Sequence, residues 1–206
     1  MHISVYVFLF LFIKAVPAMG AVGCDLNNPD RDVARLFPGS TSYKTAYASL
    51  GRQGGPLLKR VEDRLGGSQY TTLFAPLDVS YTIYEIYKGT TKIGYIHGVN
   101  QKGRFGGIQV FVAQDLNGII KTFYIQKISG QTANKLRDPN FGRQFVGLSL
   151  KDFDTFDPIS GKGSGKFTGI RNPAPEMETD FYGVLRGLKK NLVLMDEFVF
   201  SKEPRK

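Results

Sequence analysis

One cysteine and two histidines in 206 residues leave little material for metal or thiol chemistry. A lone Cys24 excludes a disulfide framework, a four-cysteine zinc site and an iron–sulfur cluster, and without C-x-x-C-H there is no covalently attached c-type haem. His2 sits at the extreme N-terminus, so His97 is left as the imidazole of the folded body, and a multi-histidine metal site cannot be built from one mature chain. His97 falls within strand alternation and reads as an ordinary structural histidine rather than a ligand or proton donor. The chain has no G-x-S-x-G elbow. Residues 161–166 (GKGSGK) lack the P-loop spacing, and residues 103–107 (GRFGG) precede a strand where a dinucleotide fold needs a helix. Hydrolase and nucleotidase chemistry is thereby set aside. No internal repeat stands out.

What is present describes one globular domain. Apolar residues make up 42%, with 16 Phe and 10 Tyr, enough to bury a real core, and the 24 glycines follow no three-residue period. Lys and Arg number 27 against 18 Asp and Glu, a net charge of +9 that favours anionic partners in general. The cations are scattered rather than clustered, which argues against a nucleic-acid partner.

The first residues address the compartment. Residues 4–13 (SVYVFLFLFI) are apolar but fall short of the roughly 20 a spanning helix requires, and Ala18, Gly20, Ala21 and Gly23 supply small residues behind them. Residues 1–23 therefore read as a secretory signal, although its only positive charge ahead of the apolar run is the amino terminus and Lys14 follows it. Export to the periplasm or the outer face of the membrane follows. Ala21-Val22-Gly23 before Cys24 has the form of a lipoprotein cleavage site, which gives two readings: a diacylated Cys24 anchored in the outer leaflet, or plain secretion with cleavage near Gly20 or Ala21.

Residues 24–206 then form one domain with a helical N-terminal extension. Asn27-Asn28-Pro29-Asp30 offers caps for a helix over 31–36, and Leu57, Leu58, Val61 and Leu65 recur at helical spacing up to Gly66-Gly67. On this reading two helices precede any strand. From Ser80 the period becomes two, giving a strand to Tyr87, a second over 92–99, a third over 108–113 and a fourth over 119–128, with Asn117-Gly118 marking a hairpin. Short helices are expected over 132–136 and 141–146 and a longer one over 181–194, while residues 154–172 read as a polar, flexible loop. Short turns between sequential strands impose antiparallel pairing. The expected class is α+β, a mostly antiparallel twisted sheet with flanking helices.

Three stretches stand out as ligand material. Gly106 and Gly107 lack a Cβ, so a flat ring or phosphate has access to the backbone, with Arg104 and Lys102 as counter-charge; a bend entering the strand explains the glycines equally well. The Thr132 hydroxyl and the amides around Gly130 and Gln131 suit a heterocycle's polar edge, against helix capping by Thr132. Lys162 and Lys166 among Gly161, Gly163 and Gly165 suit a cationic phosphate nest, against a merely solvated loop. Tyr81, Tyr84, Tyr87 and Tyr95 read as sheet surface and core.

The order of several of these motifs is similar to one family. Gly94-Tyr95-Ile96, Gly106-Gly107 with IQVFV behind it, the 115–119 turn, Leu136-Arg137-Asp138-Pro139-Asn140-Phe141 and residues 144–150 (QFVGLSL) resemble the FMN-binding domain shared by the Rnf complex G subunit and the sodium-pumping NADH:quinone reductase C subunit. Arg35-Leu36-Phe37-Pro38 is similar to the segment that opens many such domains, and the resemblance covers roughly residues 33–194.

The resemblance implies an exported α+β domain carrying FMN for electron transfer, tied in those subunits by a phosphodiester to the threonine of D-x-x-S-G-A-T. Here Asp157, Ser160 and Gly161 match, Lys162 takes the alanine position, and Gly163 stands where the threonine belongs, with no hydroxyl to esterify. Ser164 comes one residue late and Thr168 five late. Ser129-Gly130-Gln131-Thr132 ends in threonine, but its place matches the family's loop over the flavin. Covalent attachment, at Thr132, Ser164 or Thr168, is thus disfavoured against non-covalent FMN. The expected cofactor-binding set is Arg104, Gly106, Gly107, Gly130, Gln131, Thr132, Ser160, Gly161, Lys162, Gly163 and Ser164, with no catalytic residue and no metal. The expected role is electron transfer with a membrane redox complex or a cytochrome. The alternative is a flavin-free accessory protein that docks beside such complexes or multihaem cytochromes.

Overall fold

The structure, a computed structural model, describes residues 24–51, 55–131 and 133–202. Helix α1 (Pro29–Leu36) is followed by β1 (Ser42–Ala48), α2 (Gly55–Arg64), the single turn α3 (Tyr70–Leu73), and the strands β2 (Tyr81–Lys88), β3 (Thr91–Gly103), β4 (Gly106–Gln114) and β5 (Ile120–Lys127). Three short helices, α4 (Ala133–Leu136), α5 (Pro139–Arg143) and α6 (Leu150–Phe153), lead to the long α7 (Glu178–Met195), which runs on into a π-type turn, Asp196–Phe200. The five strands form one antiparallel sheet in chain order, β1-β2-β3-β4-β5, with helices around it. This is the α+β class read from the strand periodicity.

β1 corrects the expectation that two helices precede any strand. Ser42–Ala48 (SYKTAYA) is exposed along most of its length and covers the edge of β2, so no buried face imprints alternation on it. The central strands read clearly because both sheet faces are covered. Ile108, Val110 and Val112 face α7 in the main core, while Phe111 and Ala113 join Leu36 and Phe37 in a smaller core beneath α1. Of the four tyrosines, Tyr81, Tyr84 and Tyr95 are buried.

α7 lies along β3, and small residues set the distance. A Cβ on Gly183 would stand 2.9 Å from the Lys102 carbonyl oxygen, so only glycine allows the helix backbone this close. Further along, the Asn191 side-chain amide donates to the His97 carbonyl at 2.7 Å. The buried Lys190 ammonium donates to the carbonyls of Ala75, Pro76 and Asn100 at 3.1 to 3.2 Å. Burial lowers its pKa to about 8. α7 therefore joins the two ends of the sheet: its first turns stand by the β3–β4 hairpin, and its π-type turn stands by the β4–β5 turn.

Candidate functional site

Two of the three candidate stretches meet the first turns of α7, and α4, which follows the third, is tied to the residues just before it. Arg104, exposed at the tip of the β3–β4 hairpin, donates its backbone N–H to Asp180 Oδ1 at 2.6 Å. Lys135 of α4, a few residues beyond Gly130 and Gln131, pairs with Glu176 just before α7. Gly161 packs against the ring of Tyr182. Thr132 lies outside the described residues.

At the hairpin the backbone is open. A Cβ on Gly106 or Gly107 would meet no atom within 4 Å, and Gly106 has φ +123°. The Arg104 guanidinium stands 5.4 Å from the centroid of the Phe105 ring, itself 57% exposed. Lys102 is committed: its ammonium donates to the carbonyls of Thr71 at 2.7 Å and Thr72 at 3.2 Å. Gly130 and Gln131 are exposed, and the Gly130 carbonyl accepts from Ala133 N–H at the start of α4.

The glycine–lysine stretch differs from the flexible loop expected of it. The Asp157 carboxylate accepts from the Ser160 hydroxyl at 2.6 Å and from the Ile159 and Ser160 amides, and these bonds hold its pKa below the usual carboxylate range. Phe156 and Phe167 bury their rings stacked 5.3 Å apart, with Phe153 edge-on to Phe167. From α7, Arg186 Nε donates to the Pro158 carbonyl and Lys189 Nζ to the Phe156 carbonyl. A polar composition concealed two apolar anchors.

That anchoring bears on a flavin. At Gly161, with φ +72°, a Cβ would come within 2.7 Å of the Tyr182 ring, and at Gly163 within 2.5 Å of Phe167. The space next to these glycines is filled by the chain's own rings, so the loop has no cleft for a cofactor. Lys162 and the Ser164 side chain stay on its exposed surface. Glu176, Glu178 and Asp180 put three carboxylates around the start of α7, and Asp180 Oδ2 is buried without a hydrogen-bond partner among the described residues. A phosphate is better matched to Arg104 and Lys162 than to the helix end. The hairpin backbone thus leaves open space beside its glycines, and the loop does not.

Two concavities lie outside the hairpin and the loop. One of about 500 Å³, with Lys135 on its wall, lies between α4–α5 and the 171–173 segment. The other, of about 970 Å³, lies at the opposite end of the sheet, where β3 begins, β4 turns into β5 and α7 ends. Its wall residues Tyr95, Leu150 and Phe200 carry apolar periodicity that in the sequence is indistinguishable from core.

His97 and Cys24 are both interior. His97 is fully buried between Tyr81 and Phe198, and burial lowers its pKa to about 3 against the opposing effect of the nearby Asn191 side chain. It is a neutral structural residue. Cys24 is also fully buried, bridges to Tyr81, and has its thiol pushed up to about 11 by burial. Residues 1–23, with the expected signal and either form of its cleavage, lie outside the described residues. No protein-family model matches this chain, and no curated protein is significantly similar to it.

Proposed function

We propose that the chain is an extracytoplasmic electron-transfer domain that binds FMN without a covalent bond. The observation that carries the reading is that the hairpin and the 157–164 loop both meet the first turns of α7, through Arg104 with Asp180 and Gly161 with Tyr182, with open backbone at Gly106 and Gly107. Those two glycines and the Arg104 side chain would hold the cofactor, with the exposed Gly130 and Gln131 as further candidates. Bound FMN supplies one- or two-electron transfer, and the protein sets access to it and its surrounding charge. The exposed Arg104 is the counter-charge for an anionic group, and the acids near α7 orient that group away from the helix. An attachment bond has little support, because Gly163 has no hydroxyl and the Thr168 hydroxyl donates to the Gly165 carbonyl. The partner remains a membrane redox complex or a cytochrome.

A flavin-free docking protein is the second reading, favoured by the rings of Tyr182 and Phe167 against Gly161 and Gly163. Visible spectroscopy of the purified full chain separates the two. Flavin bands that bleach with dithionite and leave with the supernatant on acid precipitation support bound FMN. Colourless protein that takes up no FMN on titration leaves docking.

A further inference from the structure

We propose that the 970 Å³ concavity at the β4–β5 end of the sheet binds a small amphipathic zwitterion of dipeptide size, its apolar side chains against Leu116, Leu150 and Phe200 and its two charged ends on Lys151 and Asp154. The inference does not rest on the flavin reading.

The volume suits a small organic ligand, for which concavities of about 300–1,000 Å³ are usual. Its walls are held in place before any ligand arrives. The Asp115 carboxylate accepts from the amides of Asn117 at 2.8 Å and Ile119 at 2.9 Å, closing the β4–β5 turn, and the Gln114 amide donates to the Gly118 carbonyl at 3.1 Å. Gly118 has φ +76°, and a Cβ there would stand 3.2 Å from Phe200, so the turn and the aromatic ring are fitted to each other. Phe200 meets Tyr95 edge-on at 5.6 Å. It is delivered by the π-type turn, an irregularity that accumulates at functional sites.

The charges around the concavity fall into two groups. Arg64 is consumed by Asp196 and Glu197, both at 2.8 Å. Lys92 bonds Glu85 at 3.2 Å and the Tyr95 hydroxyl at 3.0 Å; burial opposes its charge, but these bonds outweigh it and hold its pKa above the ordinary lysine range. Both cations are matched from within the protein. Lys151 and Asp154 are different. Three positions apart on and just beyond α6, both exposed and lining the same concavity, they make no ion pair with each other or with any other described residue. Asp154 lies in the field of the Lys189 ammonium, which itself donates to the Phe156 carbonyl, and makes no direct ion pair; with Lys151 beside an apolar chamber it complements a ligand with a carboxylate, an ammonium and an apolar body. A phosphate dianion would leave Asp154 uncompensated.

The probe is the dipeptide Phe-Phe, titrated by calorimetry into the full-length protein and compared with its N-acetyl and C-terminal amide forms. Saturable one-to-one binding is expected, weakened about three- to tenfold by either blocking group and by Lys151→Ala or Asp154→Ala. Both substitutions are at exposed positions, and unchanged thermal unfolding verifies that the fold survives. N-acetylation is expected to cost nothing further in Asp154→Ala, and amidation nothing further in Lys151→Ala. Absent binding, blocked peptides that bind as well as the free one, or alanine variants with unchanged affinity overturn the proposal. Colourless protein that binds the dipeptide leaves the inference standing without the flavin.

Discussion

The two ends of the sheet place glycine and enclosure in opposite combinations. At the β3–β4 end, Gly106 and Gly107 leave the backbone bare, and no atom of the described residues comes within 4 Å of where their Cβ atoms would stand. At the β4–β5 end, Tyr95, Leu150 and Phe200 stand on the wall of the concavity, and Gly118 admits Phe200 against the turn. An absent side chain grants access, whereas retention requires side chains standing around a space. The glycine-rich end is thus a landing surface and the other end a container, joined by the seam between β3 and α7.

The largest expected effect tests that seam. His97 is neutral in the folded state, with a pKa of about 3, whereas an unfolded histidine titrates near 6.5. Below about pH 6.5 the unfolded chain takes up a proton that the native chain refuses, so stability falls progressively from there to about pH 3, by a few kcal/mol. The depressed carboxylates Glu85, Asp152 and Asp157 add their own loss at the acid end of that range. Urea midpoints at pH 7, 6 and 5 are expected to decline in the parent and to flatten in His97→Gln. An equally steep decline in the variant would detach the acid limb from the seam. Next in size, Phe200→Ala removes a wall of the container and is expected to lower stability by about 2–3 kcal/mol in urea unfolding and to abolish dipeptide binding. Retained binding would erase the distinction between the two ends.

Two glycine substitutions sharpen the comparison further. Gly161→Ala combines positive φ with the Tyr182 ring and is expected to cost about 1–3 kcal/mol by chemical denaturation. A cost near zero would mean that the 157–164 loop has slack to admit a ligand. Gly107→Val, with open space around it, is expected to shift stability by no more than about 0.5 kcal/mol while removing FMN uptake. Undiminished flavin content in that variant would move the cofactor elsewhere.

Legibility in the sequence followed burial. β2 to β5 were readable because alternating or continuous apolar residues mark covered faces, and Asn117-Gly118 marked the turn between β4 and β5. β1 was silent because its residues face water, and α6 was hidden in a stretch without helical periodicity. Among the candidate residues, Arg104, Gly106, Gly107, Gly130 and Gln131 lie at exposed positions in or beside turns, which glycine marks in a sequence. The filling of Gly161 and Gly163 was not legible: it depends on Tyr182 from a distant helix and on Phe167 folding back. The container was missed for the same reason. Arg64, Tyr95, Lys151 and Phe200 come from four separate elements, and no local spacing connects them.

The chain-order sheet has one more implication. Each strand hydrogen-bonds the strand just before it, so a polypeptide emerging N-terminus first, from a ribosome or a translocation channel, can assemble its strands as they appear. The long helix that roofs them comes at residues 178–195, and until then Val110, Val112 and Ile125 stay wet on an uncovered surface. A nascent chain at that stage is an adhesive half-product, vulnerable to aggregation until residues 178–195 arrive.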